Sequence, residues 1–415
     1  MLTRSLNSKK SWWRWPLLFV LVGTLCLVSV GCGDDSSGGG DDVDAAVSDP
    51  DGSAGDDAEV QADAETDGGM EQDGDVEMDG GTEDPYTPDM VEGEWWIHNL
   101  STGAWKGWNY ANVTIDASGA MSDMEFWDSD GGNDSVADPG FNLTLETDGS
   151  LTGDFDQDVE GFLSADGMSL VMTGDDADGD DRMLNMGLMT GSGVYEQAQL
   201  TGEWYVTVLS VADPATMGSW TGWARGTAAL DSTGTMTTLQ MDNSDGALLT
   251  DPIPGFQLVM DPDGSITNNG SSSYHGYLSH DGSLVAATNT AEDGSLELHI
   301  YQIVSDATFD VSDLQGRWYL SVLSVGQWEA WMRGIITVDA TGVITDVSLE
   351  DSEGGLHTDP PTTAPLALDS DGVLTSSQDA SWRGFMSGDK NLIVYTNTVT
   401  TGGSSYELNV LQRIP

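Results

Sequence analysis

The sequence predicts an all-β protein built of three tandem repeats of about 105 residues, each an eight-stranded up-and-down antiparallel meander, after a disordered N-terminal region. Three observations carry this prediction. One short motif, Leu/Val-x-Gly-x-Trp, recurs at Val91–Trp95, Leu200–Trp204 and Leu314–Trp318. A Trp-x-x-Trp pair follows each time, at Trp105/Trp108, Trp220/Trp223 and Trp328/Trp331, and the interval from its first Trp to a later Gly (Gly161, Gly276, Gly384) is 56 residues in all three copies. The sequence between these landmarks alternates apolar and polar residues and is cut by Asp-Gly turns, the strongest local hairpin cue.

Residues 1–31 carry Arg4, Lys9, Lys10 and Arg14 ahead of an apolar run, Pro16–Val30, that is short for a membrane span. The run ends at Ser29-Val30-Gly31-Cys32. Small residues before a Cys resemble the bacterial lipobox, whose Cys is acylated before cleavage; Ser29 stands where that motif usually has Leu. The resemblance implies lipidation at Cys32, and Gly33 after it is similar to the sorting signal for the outer membrane. Cys26 lies inside the leader, so Cys32 would be the one Cys left, with no partner for a disulfide. Two or three acyl chains, at about 0.8 kcal/mol per buried methylene, hold a protein on a bilayer without a membrane-spanning helix.

Residues 32–90 read as an acidic disordered tether, without Lys or Arg and almost without large apolar side chains. A flexible chain of this length spans about 40 Å, and self-repulsion lengthens it. All 70 Asp and Glu lie beyond residue 31, with eight of the 12 Lys and Arg. That field excludes nucleic acid as a partner and repels anionic headgroups. The membrane is met through the lipid anchor, and any further partner is an unidentified protein or polysaccharide.

The repeats span 91–190, 200–304 and 314–415. In the second, strands are expected at 203–211, 223–230, 236–242, 255–260, 265–270, 274–279, 284–290 and 296–303. Alternation places Gly226, Ala228, Leu230, Met236, Phe256, Leu258, Met260, Leu278, Leu296, Leu298 and Ile300 on one apolar face. Such a meander must close to remove its edges, as one barrel per copy or as one six-bladed β-propeller of two blades per copy. Asp313-Leu-Gln-Gly316-Arg-Trp318-Tyr319 resembles the first motif of the calycin and lipocalin families, in which a 3₁₀ turn leads through Gly-x-Trp into the first strand. The resemblance implies a barrel and makes Trp95, Trp204 and Trp318 its structural residues. It also implies that Arg413, near the end of the last strand, packs across Trp318; Met189 and Ile303 stand near that place in the other copies. The segments 191–201 and 305–315 are longer than blade connections and suit barrels strung as separate beads.

The Trp-x-x-Trp pairs are the candidate ligand-stacking residues, for sugars or small apolar molecules, against the alternative that they cover barrel ends. The Asp-rich turns, densest at Asp175–Asp181, could take Ca²⁺ through oxygen ligands, against a turn's own use of Asp for backbone hydrogen bonds. His98, His275, His280, His299 and His357 do not recur between copies and carry no assigned role. No phosphate loop, nucleophile elbow or His-Glu-x-x-His motif occurs, and the chain is expected to be non-catalytic.

Overall fold

The structure, a computed structural model, describes residues 86–415 except 155–158, 177, 178, 270, 361–364, 378 and 401–403. The leader, Cys32 and the acidic stretch as far as Pro85 lie outside the described residues.

Each copy forms one antiparallel sheet of nine strands, with the same order of strands in all three: 4-3-2-1-9-8-7-6-5. The first and last strands of a copy pair in the middle of its sheet, Trp95 opposite Met189, Trp204 opposite Ile303 and Trp318 opposite Arg413. That pairing joins both halves of a copy in one sheet, so a propeller of separate blades is excluded. In the second copy the strands are Gly202–Val211, Gly222–Leu230, Met236–Asn243, Leu248–Leu249, Leu258–Met260, Ser265–Asn268, Ser271–Leu278, Leu284–Thr290 and Leu296–Ile303. The unexpected one is the fourth, Leu248–Leu249, with Asn133–Val136 and Leu356–His357 as its counterparts. It pairs with the far half of the third strand. The start of the third strand meets the fifth instead: Leu143, Leu258 and Leu366 donate their N–H to Gly119, Gly234 and Gly342 carbonyls at 2.8, 3.0 and 2.9 Å. Eight strands thus curl round to a barrel, and the fourth is a flap on its side. The three glycines have φ near +80°, and a Cβ on any of them would lie within about 2.2 Å of the facing carbonyl oxygen, so the Asp-x-Ser/Thr-Gly turns need glycine there.

A 3₁₀ turn precedes each first strand, at Pro88–Val91, Gln197–Leu200 and Val311–Leu314. The Trp four residues beyond the turn's last residue is completely or almost completely buried and donates its indole N–H back to that residue's carbonyl: Trp95 to Val91, Trp204 to Leu200, Trp318 to Leu314, at 2.8–2.9 Å. An aromatic residue leads into each turn. Tyr86, Tyr195 and Phe309 are buried against the glycine of an Asp-Gly hairpin, Gly149, Gly264 and Gly372. Residues 86–90, read above as tether, therefore belong to the first barrel. The segments read as linkers likewise seal the barrel that follows them.

The largest departure from the sequence reading is a second apolar face. Trp204 faces the barrel interior, and register then places Leu296, Leu298 and Ile300 on the outside, opposite Val211, Leu209 and Thr207. These apolar residues are buried nonetheless, with Leu100, Leu184, Met186 and Leu188 of the first copy and Leu323, Val325, Leu408 and Val410 of the third. Strands one, eight and nine of each copy are covered on both faces because the barrels pack on one another through them. The contacts run in a ring, the first two strands of each copy against the last two of the next, and of the third against the first. One stacked aromatic pair marks each seam: Trp96 on Tyr277, Tyr205 on Phe385 and Tyr319 on Phe162, with centroids 5.5, 4.2 and 5.2 Å apart.

Arg413 lies over the Trp318 ring, 4.3 Å from its centroid, and donates to the carbonyls of Lys390, Gln315 and Asp313. Trp318→Ala removes a buried aromatic and should cost about 3–5 kcal/mol. The milder pair Trp318→Phe and Arg413→Met should couple by about 0.5–1 kcal/mol in a denaturant double-mutant cycle, since the ring and its cover stabilise each other. Additive effects would show that the guanidinium is held by the carbonyls alone.

Candidate functional site

The three seams use equivalent positions. The second Trp of each Trp-x-x-Trp pair is buried there and donates its indole N–H into the next copy: Trp108 to Thr290 Oγ1 at 2.8 Å, Trp223 to Thr398 Oγ1 at 2.9 Å, Trp331 to Asp175 Oδ1 at 2.6 Å. Two residues later in the second strand the copies diverge. Arg225 stacks on Trp223 at 4.0 Å, donates to the Thr396 and Ser381 carbonyls of copy three, and pairs with Asp242 on its own third strand. Arg333 stacks on Trp331 at 4.3 Å, donates to the Thr173 carbonyl and pairs with Glu160 of copy one and its own Glu350. The Arg225 side chain is almost fully buried, and loss of hydration there pulls its guanidinium down to about 10.

Copy one places Tyr110 where the others have Arg, and Trp127 where they have Asp242 and Glu350. The facing position in copy two is His275, the counterpart of Glu160 and Arg383. This seam therefore has rings where the others have ions. Tyr110 lies between Trp127 (4.8 Å, planes 10° apart) and His275 (4.6 Å, 28°). Trp96 stacks beside Trp127 at 6.1 Å and on Tyr277 at 5.5 Å. Tyr110 and Tyr277 are buried, whereas Trp96, Trp127 and His275 reach the surface. His98 underneath is fully buried, both ring nitrogens lack partners, and burial with His275 nearby pushes its pKa down to about 3. Burial lowers His275 as well.

The first Trp of each pair lies in the hairpin ahead of the second strand. Trp105 and Trp220 are half-buried over Gly107 and Gly222, and Trp328 is the most open, at 37%. Each has its backbone N–H tied to the ninth-strand end, by Asp181, Ser295 and Ser405. The pairs thus divide between a seam and an exterior position. In the third barrel the cavity beside Trp318 is about 20 Å³, and the cavity where the three Ser-x-Asp turns (Ser164/Asp166, Ser279/Asp281, Ser387/Asp389) meet is about 40 Å³. Both have room for water and not for a drug-sized ligand. In barrel two Glu297 holds His299 and Asn289 at 2.8 Å, a polar cluster internal to the barrel.

The acidic turns bind their own backbone. Asp116, Asp231 and Asp339 each accept two N–H groups and a hydroxyl within five residues, and these bonds lower their pKa. In the Asp175–Asp181 run, of which 177 and 178 lie outside the described residues, Asp175 meets Trp331 and Arg182 and Asp176 caps Asp180 and Asp181. Among the described residues no three His, Cys, Asp or Glu side chains converge on a metal position.

Trp96, Tyr110, Trp127, His275 and Tyr277 were not among the residues singled out from sequence. Tyr110, Trp127 and His275 depart from the repeat, a signal visible only once each position of one copy is set against the other two, whereas Trp96 and Tyr277 are aromatic in all three copies.

No family model matches the chain, and no curated protein matches it. Among solved structures, transferrin binding protein B from serogroup B Neisseria meningitidis is 10% identical, with 74% of this chain and 66% of that one covered and a TM-score of 0.22. The chain thus spans just under two thirds of that protein. Transferrin binding protein B from Haemophilus parasuis Hp5 is 9% identical over 77% of this chain and 75% of its own, with a TM-score of 0.25. A DUF3598-family protein of unknown function from Nostoc punctiforme is 14% identical over 53% and 99%, with a TM-score of 0.19. The site is assigned from its geometry.

Asp181 is buried where the other copies have Ser295 and Ser405, and desolvation raises its pKa from 3.8 to about 6. A carboxyl raised on folding costs nothing below its unfolded value and destabilises as pH climbs through the folded one. Asp181→Ser should therefore stabilise the protein by about 1–3 kcal/mol at pH 8 and hardly at all at pH 3.5, read by urea unfolding. An equal gain at both pH values would contradict the assignment.

Proposed function

We propose that the chain is a bacterial envelope lipoprotein, held at the outer membrane by acyl chains on Cys32, that acts as a non-catalytic binding protein through the outer face of its first barrel. The observation that carries the binding reading is the replacement, in one seam of three, of a buried Arg and its acid partner by the stacked rings of Tyr110 and Trp127, of which Trp127, beside Trp96, reaches the surface. Ion pairs hold two seams together; the third is held by Trp108, by Tyr110 on His275 and by Trp96 on Tyr277, while Trp127 stacks on Trp96 and Tyr110 of its own copy. The anchor is supported by the leader, the residues before Cys32 and the acidic stretch behind it. Among the described residues no helix is long and apolar enough to cross a membrane.

Cell fractionation and oxidative footprinting together test this reading. Cys32→Ser should move the protein from the membrane to the soluble fraction. In the native chain, isolated cell envelopes should protect Trp96 and Trp127 from oxidation while Trp328 stays reactive. Membrane retention of Cys32→Ser would remove the anchor, and equal oxidation of all three rings with and without envelopes would remove the binding face.

A further inference from the structure

We infer that the ligand of this face is a neutral carbohydrate, stacked on Trp127 and hydrogen-bonded by the polar side chains around it; the inference rests on the binding reading above. Register sets two rows across the outer face of the first barrel. One runs Met186, His98, Tyr110, Trp127, Asn133, and the other Leu188, Trp96, Asn112, Glu125, Ser135. Tyr110 covers one side of the Trp127 ring. On the other side the next position is Asn133, an exposed amide on the flap strand Asn133–Val136. Glu125 and Ser135 are exposed in the neighbouring row, and Asn112 donates to Glu94 at 2.7 Å.

Copies two and three have Asp242 beside Leu248, and Glu350 beside Leu356, where copy one has Trp127 beside Asn133. Both members of the pair have changed, the acid to a ring and the Leu to an amide. A ring flanked by amide, hydroxyl and carboxylate matches a pyranose, which has a C–H face for stacking and a rim of hydroxyls that both donate and accept. The same carboxylates, in a chain with 70 acidic and 12 basic side chains, repel an acidic sugar. An organic cation is recognised best by rings set as several walls, whereas Trp96, Tyr110 and Trp127 are close to parallel, with planes 10–30° apart, and leave one flat surface.

Intrinsic Trp fluorescence of the full chain, titrated with maltohexaose, cellohexaose and chitohexaose, tests the assignment, with polygalacturonate and tetramethylammonium as the acidic and cationic probes. At least one neutral hexasaccharide should give a saturable change. Trp127→Ala should weaken it roughly tenfold or more. Asn133→Leu, which installs the residue of the other copies at an exposed position, should weaken it with the melting temperature unchanged, and Trp328→Ala should leave it intact. Silence with all three neutral sugars, saturation by tetramethylammonium alone, or a response lost in Trp328→Ala and kept in Trp127→Ala would overturn the assignment. Envelope protection of Trp96 and Trp127 without a sugar response would leave the binding face standing and remove carbohydrate as its ligand.

Discussion

Each barrel carries apolar residues on the outside of its first, eighth and ninth strands, and water cannot be left on that surface. A Leu or Ile taken from exposure to full burial contributes about 1.5–3 kcal/mol, and Leu209, Leu298 and Ile300 in the second copy alone are at or near complete burial. The most economical cover is another copy of the same surface. Three copies in one chain can supply it to one another in a ring, which leaves no copy with an open face. The stacked pairs Trp96–Tyr277, Tyr205–Phe385 and Tyr319–Phe162 fix the direction, always from a first strand to the next copy's seventh.

Equivalent seams create a problem of order, because each copy could in principle pack on either neighbour. The charged positions distinguish them. Arg333 meets Glu160, Arg225 meets backbone carbonyls with Asp242 beside it, and Tyr110 meets His275. A buried Arg put opposite the wrong copy keeps its own acid but loses the facing carbonyls, and Arg333 loses Glu160 as well, which is destabilising. The aromatic seam carries no such penalty and is free to vary. That freedom is the physical reason this seam, and not the other two, can carry the proposed binding face.

Much of this was legible in the residues. The Gly-x-Trp spacing located the buried plugs, and the Asp-Gly and Asp-x-Ser/Thr-Gly turns placed eight of the nine strands in the second copy. The fourth escaped because Leu248–Leu249 is two residues long, too short for any alternation to show. Leu296, Leu298 and Ile300 were assigned to the wrong side of the barrel for a different reason. Period two says which residues share a face and not which face is inside; here Glu297, His299 and Tyr301 point inward and the aliphatic residues outward. Seen alone, a copy has no use for an apolar exterior, so the error follows from reading one repeat at a time. The ring cluster was missed through the opposite habit, since recurrence drew attention to the Trp pairs and away from Tyr110, Trp127 and His275, which do not recur.

The first and third barrels have interior cores of their own, and all three barrels are joined through a shared core at their seams, so they stand or fall together. Calorimetry of residues 82–415 measures this directly. A shared core predicts a single transition whose calorimetric and van't Hoff enthalpies agree, and Tyr319→Ala, which opens one seam, should lower the midpoint of the whole transition. Three separate transitions, or a Tyr319→Ala shift confined to one of them, would contradict it.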